Sequence, residues 1–274
     1  MLLCLLTYGG LCNRMRTMAG VLNLARKTGQ RPVFIWVTAP DLNASFHSLF
    51  DSFPARVIDL QGRRRVARCI DFLERHWPGL VIGDAWANTY GKKHIGESLP
   101  MLRSQRHLLV HTCENITLSA DFSMFHPKQT PSLDVSGCIG VHIRRSDHSL
   151  SWQYSPTEAF EQRMRNVVER NPQARFFLAT DNPSDESALT RSLPGRILVR
   201  PKRSLDRNDP QAIADALADL WLLSRCDRII GSYQSSFTDT SAAIGGVELE
   251  VVKVLPEEGR TTSSDNSRPS LDAQ

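Results

Sequence analysis

The sequence predicts an α/β protein of two parallel-sheet domains with a ligand cleft between them, on three observations. Short apolar runs alternate with amphipathic stretches through most of the 274 residues. Residues 120–136 interrupt this alternation with Pro127, Pro131 and no clear period, as a linker would. Polar and glycine-containing turns follow several of the apolar runs, where open α/β sheets bind ligands.

The first series opens with a strand at Leu2–Thr7, then a glycine turn and a helix near Arg14–Thr28. Strand Pro32–Val37, a short helix near Asn43–Phe50 and strand Val57–Leu60 follow. A helix near Val66–Arg75 and strand Leu80–Gly83 come next. The stretch from Asp84 to Leu99 has no clear assignment, and Leu108–Thr112 reads as a further strand. The second series starts at Cys138–Ile143. It continues through helix Pro156–Arg170, strand Arg175–Thr180, helix Asp185–Ser192 and strand Ile197–Val199. Helix Pro210–Arg225, strand Arg228–Gly231, helix Ser236–Ala243 and strand Glu248–Val252 complete it. The expected division is residues 1–125 and 137–255 as two Rossmann-like domains, with polar residues 256–274 as a disordered tail.

Composition narrows the class. With 41% hydrophobic and 23% charged residues the chain reads as globular, and its net charge of +4 suits a small anionic ligand. It lacks the concentrated basic face expected for nucleic-acid binding, since Arg63-Arg64-Arg65 is its one basic run. Six cysteines are scattered without a CxxC pair, so a metal site is not expected and a reduced, cytoplasmic setting is. Met1–Leu6 has no charged leader and is too short for a signal peptide, and no run reaches the roughly 18 apolar residues of a membrane span.

Five constellations could carry chemistry. His142, Arg144, Arg145 and Asp147 follow the apolar run Cys138–Val141. Arginine presents a planar fork of permanently charged donors to phosphate or carboxylate oxygens. In extended backbone His142 and Arg144 project to one side and Arg145 to the other, so the first two share a ligand face. The turn Gly9-Gly10-Leu11-Cys12-Asn13-Arg14 lies between a strand and a helix start, where free amides attract anions. Ala179-Thr180-Asp181-Asn182-Pro183, at the end of a strand, reads by itself as ordinary turn chemistry. In the helix around Asp215–Ser224, Ile213, Leu217, Leu220, Trp221 and Ser224 share one face, while Leu222, Leu223 and Cys226 lie on another. Asp219 falls among that second apolar group and therefore needs a partner. Finally, Ser235, Ser236, Phe237 and Thr238 offer hydroxyls and helix-start amides, although Ser236 could serve simply as a cap.

Taken in order, these motifs resemble the GT-B fucosyltransferase superfamily, which includes alpha-1,2-, alpha-1,6- and protein O-fucosyltransferases. The resemblance rests on Gly-Gly-Leu-Cys-Asn-Arg near the start, His142-Ile143-Arg144-Arg145, Ala179-Thr180-Asp181, Asp219 to Ser224, and Ser235 to Thr238. It covers Gly137–Val252 well and the first half mainly through its opening turn. It implies a GT-B-like fold and a metal-independent, inverting transfer of fucose from GDP-fucose to a glycan or protein hydroxyl. Arg144 would hold the β-phosphate and be the catalytic group. His142 and Asp219 would contact guanine, and Arg145, Asp181, Ser235, Ser236, Phe237 and Thr238 would complete the donor site. Gly9, Gly10, Asn13 and Arg14 would face the sugar and acceptor. No metal and no other cofactor is implied, and the chain holds no Asp-x-Asp triplet.

The chain is short for that superfamily, so acceptor-binding insertions are expected to be missing. No general base is evident: the Asn13 amide cannot deprotonate a hydroxyl. Asp41, Asp84 and His94 are candidates only in that they titrate. A GT-B transferase for another nucleotide sugar, and a catalytically inactive nucleotide- or glycan-binding protein, are the alternatives. A dinucleotide oxidoreductase is disfavoured by the lack of GxGxxG after a strand.

Overall fold

Two five-stranded parallel sheets, one from each half of the chain, form the frame of the computed structural model. The structure describes residues 1–254 except 89–91, 115, 117–119, 146–148 and 207, and gives backbone alone for 63–65 and 92–97. The sequence-predicted tail at 256–274, Asp147 and the His94 side chain lie outside the described residues.

In the first half, strands β1 (Leu2–Leu6), β2 (Pro32–Thr38), β3 (Arg56–Gln61), β4 (Leu80–Ile82) and β5 (Leu108–Val110) take the order β3-β2-β1-β5-β4. Their helices are α1 (Leu11–Thr28), α2 (Phe46–Leu49), α3 (Arg63–His76), α4 (Asp84–Trp86) and α5 (Lys92–Ser104). The second half holds β6 (Cys138–Ile143), β7 (Arg175–Thr180), β8 (Ile197–Val199), β9 (Arg228–Ser232) and β10 (Glu248–Val252), ordered β10-β9-β6-β7-β8. It carries α6 (Ser149–Tyr154), α7 (Thr157–Arg170), α8 (Pro183–Ser192), α9 (Pro210–Leu223) and α10 (Ser236–Gly245). Strand order reverses on either side of β1 and of β6, so each sheet has a switch point where its first strand meets a later one. Ligand crevices form outside the carboxyl ends of such strands.

Three local features depart from the sequence reading. Helix α1 begins at Leu11 rather than near Arg14, because the Arg14 amide already donates to the Gly10 carbonyl at 3.1 Å. The unassigned stretch after Asp84 folds as α4 and α5, the latter carrying Pro100 within it. Residues 120–136 are irregular, as expected, but they are not loose. Phe122, Met124 and Phe125 are buried in the first core, and Val135 in a core of the second half. Backbone bonds from Lys128 to Leu49 (2.9 Å) and from Asp51 to His126 (2.9 Å) pin the segment further.

Helix α9 ties the halves together. It starts where the sequence supplies a stop and a start: Asp209 caps the Gln211 amide and Pro210 occupies the first turn. Ile213, Leu217 and Leu220 enter the core built on β1, α1 and β2. Leu222 and Leu223, with Cys226 just beyond, enter the core under β6, β7 and β9. The two faces read from the helical period are thus the faces that serve two different domains. Among the described residues no helix is long and apolar enough to cross a membrane.

Leu220 is completely buried. Truncation to alanine removes packing at the domain junction and is expected to cost about 2–5 kcal/mol. Urea unfolding should show this as a lower midpoint, whereas Met101→Ala on the exposed face of α5 stays within about 0.5 kcal/mol of the parent.

Candidate active site

The facing carboxyl edges enclose a cavity of about 350 Å³, within the range of small-ligand sites. From the second half it is lined by His142 and Arg144 after β6, Ala179–Asp181 after β7, Lys202, Ser204 and Leu205 after β8, one face of α9, and Ser236–Phe237 opening α10. From the first half come Gly9–Asn13 and the turn residues Asp41 and Leu42.

His142 is held on two sides. Its Nδ1 shares a 2.7 Å hydrogen bond with the Thr238 hydroxyl, and its ring stacks on Phe237 with centroids 4.6 Å apart. Burial, with further opposition from Arg144, Lys202 and Arg145, pushes its pKa down to about 3, against a smaller opposing pull from Asp181. The imidazole is therefore neutral at physiological pH and can both donate and accept. Thr238 reaches it because β9 carries Gly231 there: a Cβ at that position would fall 2.0 Å from the Thr238 methyl.

Arg144 and Arg145 part ways, as extended backbone requires. The Arg144 side chain lines the cavity, and its amide is fixed by the Ser232 hydroxyl at 3.0 Å. Arg145 turns inward and is fully buried. It pairs with Asp185 at 2.8 Å, donates to Thr157 at 3.0 Å and lies over the Trp152 ring at 5.2 Å. Its amide donates to Asp181 at 2.7 Å, so this residue braces the strand end and does not line the cavity.

At the α9 end, Asp219 has the partners its buried position demanded. Arg200 Nε donates at 2.9 Å and the Lys202 ammonium lies 3.4 Å away, while Arg200 also pairs with Asp215 at 3.0 Å. Desolvation raises the Asp219 pKa, and the two cations oppose it. Asp219 and Lys202 both face the cavity, presenting an acceptor beside a donor.

The opposite wall is the start of α1. Gly9 has φ +82°, a left-handed conformation that permits the sharp turn from β1 into the helix. Gly10 caps the helix with no side-chain bond, leaving first-turn amides without a side-chain cap at the cavity. Arg14 is buried behind this turn, donating to Gly9 and Val37 carbonyls at 2.8 and 2.7 Å and packing on Trp36.

The structure thus brings Gly9, Gly10, Asn13, His142, Arg144, Asp181, Asp219, Ser236 and Phe237 to one cavity. Arg14, Arg145, Ser235 and Thr238 stand behind that lining: Ser235 caps α10 through the Thr238 amide, and Thr238 orients His142. Sequence reasoning missed Lys202, Ser204, Leu205 and the Arg200 that braces Asp219. The available signal was Arg200-Pro201-Lys202-Arg203, a basic cluster just past a short apolar run.

Two Rossmann-like domains with facing switch points and a shared cavity constitute the GT-B architecture. Solved structures share it. NodZ alpha-1,6-fucosyltransferase soaked with GDP-fucose has a TM-score of 0.56 and 17% identity, over 89% of this chain and 92% of that one. An Arabidopsis thaliana FUT1 variant in complex with GDP has a TM-score of 0.59 and 15% identity, over 91% and 70%. The apo form of POFUT1 has a TM-score of 0.50 and 11% identity, over 92% and 97%. The likeness is one of fold. No protein-family model and no curated protein matches the chain by sequence.

The depressed pKa of His142 has a sign that can be checked. Unfolded, the ring titrates near its ordinary 6.5; folded, only near 3. The unfolded state therefore binds the extra proton first, and stability falls as pH drops from about 6.5 toward 3. Denaturation midpoints measured along that limb should decline less steeply in His142→Gln than in the parent.

Proposed function

We propose that the protein is a glycosyltransferase that takes fucose from GDP-fucose and transfers it, with inversion, to a glycan or protein hydroxyl. The observation that carries this reading is the convergence on one cavity of Arg144, the start of α10 and the side-chain-uncapped start of α1. A guanidinium and two helix N-termini facing one space make a site for a dianionic group such as a pyrophosphate.

The chemistry follows from charge development. As the bond from the anomeric carbon to the β-phosphate oxygen breaks, the electron pair leaves on the phosphate. Arg144, already placed, stabilises that charge more in the transition state than in the ground state. Positive charge from Arg144 and the helix ends serves the role a metal could otherwise take, and the proposal includes no metal. At the far end, the Asp219 carboxylate suits the N–H donors of a guanine edge, while the neighbouring Lys202 suits its carbonyl. Stacked His142 and Phe237 would flank the nucleotide. The sugar then lies toward Gly9–Asn13, and the fold shared with fucosyltransferase structures favours fucose over other sugars.

Calorimetric titration in EDTA tests the reading. GDP should bind in the micromolar range, with UDP and NAD far weaker. Removing a charged hydrogen-bond partner in Arg144→Ala should weaken GDP by about 1.5–3 kcal/mol. Transfer or hydrolysis of GDP-fucose should slow by more than about a hundredfold in the same variant. GDP binding without any turnover would favour a non-catalytic binding protein, and preference for another nucleotide would redirect the donor.

A further inference from the structure

We propose that Asp41 is the general base, accepting the proton of the incoming hydroxyl from the wall opposite Arg144. This role exists only if the protein is the transferase proposed above. In an inverting displacement the nucleophile enters on the side of the sugar away from the leaving phosphate. Arg144 belongs to the second half, so the entering hydroxyl approaches from the first half.

The first-half lining of the cavity comprises Gly9–Asn13, Asp41 and Leu42. Within it only two side chains can titrate, Cys12 and Asp41. Burial pushes the Cys12 thiol up to about 12, so it carries negligible thiolate at neutral pH. Asn13 has no basic atom, and its carbonyl oxygen already accepts from Arg16 at 2.6 Å. Asp84 lies outside the cavity lining, and one of its carboxylate oxygens accepts from the hydroxyls of both Tyr8 and Thr112.

Asp41 is presented deliberately by its backbone. Ala39 and Leu42 exchange backbone hydrogen bonds of 3.2 and 2.8 Å, closing a tight turn with Pro40 and Asp41 at its tip. Both flanking residues are buried, so the turn is anchored while its tip is not. Just beyond, the Asn43 amide donates to the Asn208 carbonyl at 2.7 Å across the cleft, fixing the turn against the other domain. Among the described residues the Asp41 carboxylate has no hydrogen-bond or ion-pair partner, so its oxygens are available to a ligand.

The proposed step balances without a further reactant. The acceptor oxygen bonds to the anomeric carbon, its proton passes to an Asp41 oxygen, and the bond to the β-phosphate breaks with its electrons on GDP. Water then takes the proton from the Asp41 acid. The charged and titratable groups sharing the cavity with Asp41 are Cys12 of α1, His142 and Arg144 after β6, Asp181 after β7, Lys202 after β8 and Asp219 of α9.

The experiment measures GDP binding, and GDP release from GDP-fucose with water as the acceptor, across the acid and neutral range. The parent rate should rise with pH and then level. Asp41→Asn should lose that rise and slow release by about a hundredfold or more, with GDP affinity unchanged. Asp41→Glu should restore part of the rate, and Asp84→Asn should keep the parental profile. An unaltered rate in Asp41→Asn overturns the proposal. So does a loss of GDP affinity that accounts for the slower release, which would make Asp41 a nucleotide contact. A parent protein that binds no GDP removes the transferase reading itself, an outcome that nucleotide titration separates from any failure of Asp41.

Discussion

Helix α9 is the constraint on which the site depends. One of its faces completes the first core through Ile213, Leu217 and Leu220, and another completes the second through Leu222 and Leu223. Because the interior on both sides is close-packed, the helix cannot rotate or slide without opening a void in one domain or the other. The separation and orientation of the two sheet edges are set by that double burial. The cavity is the space left between the edges, and Ala212, Ile213, Ala216 and Asp219 of α9 form part of its floor.

Burial on both sides creates an electrostatic problem that the structure answers locally. Asp215 and Asp219 sit on a helix with almost no water around it, where a lone carboxylate is costly. Arg200 bridges them at 3.0 and 2.9 Å, and Lys202 adds a second cation beside Asp219. Such buried pairs add little net stability, but removing one partner would strand the other. Their value is positional: they hold an acceptor and a donor side by side at one end of the cavity. At the other end the same logic applies to Arg145, whose pairing with Asp185 and packing on Trp152 stiffen the backbone that presents Arg144.

Much of this was legible in the chain. Alternating strand and helix patterns located both parallel sheets, and the helical period separated the two apolar faces of α9. Alternation along β6 placed His142 and Arg144 on one side, which lines the cavity, and Arg145 on the other, because side-chain direction in a strand is a local property. The need of Asp219 for a partner followed from its apolar neighbours. The identity of that partner did not follow, since Arg200 lies 19 residues away and pairs with it only after β8 and α9 are packed.

What the sequence determined by itself is therefore local: element type, facing of side chains, and turns that take glycine. These depend on backbone sterics and on periods of two or 3.6 residues, which operate over a few positions. The tertiary structure alone decided that Asp41, and not Asp84, shares a cavity with Arg144. It also decided that Lys202 faces the cavity and that Phe122, Met124, Phe125 and Val135 of the linker are buried. Each of these is a contact between segments far apart in the chain, fixed by the joint packing of two cores rather than by any local preference.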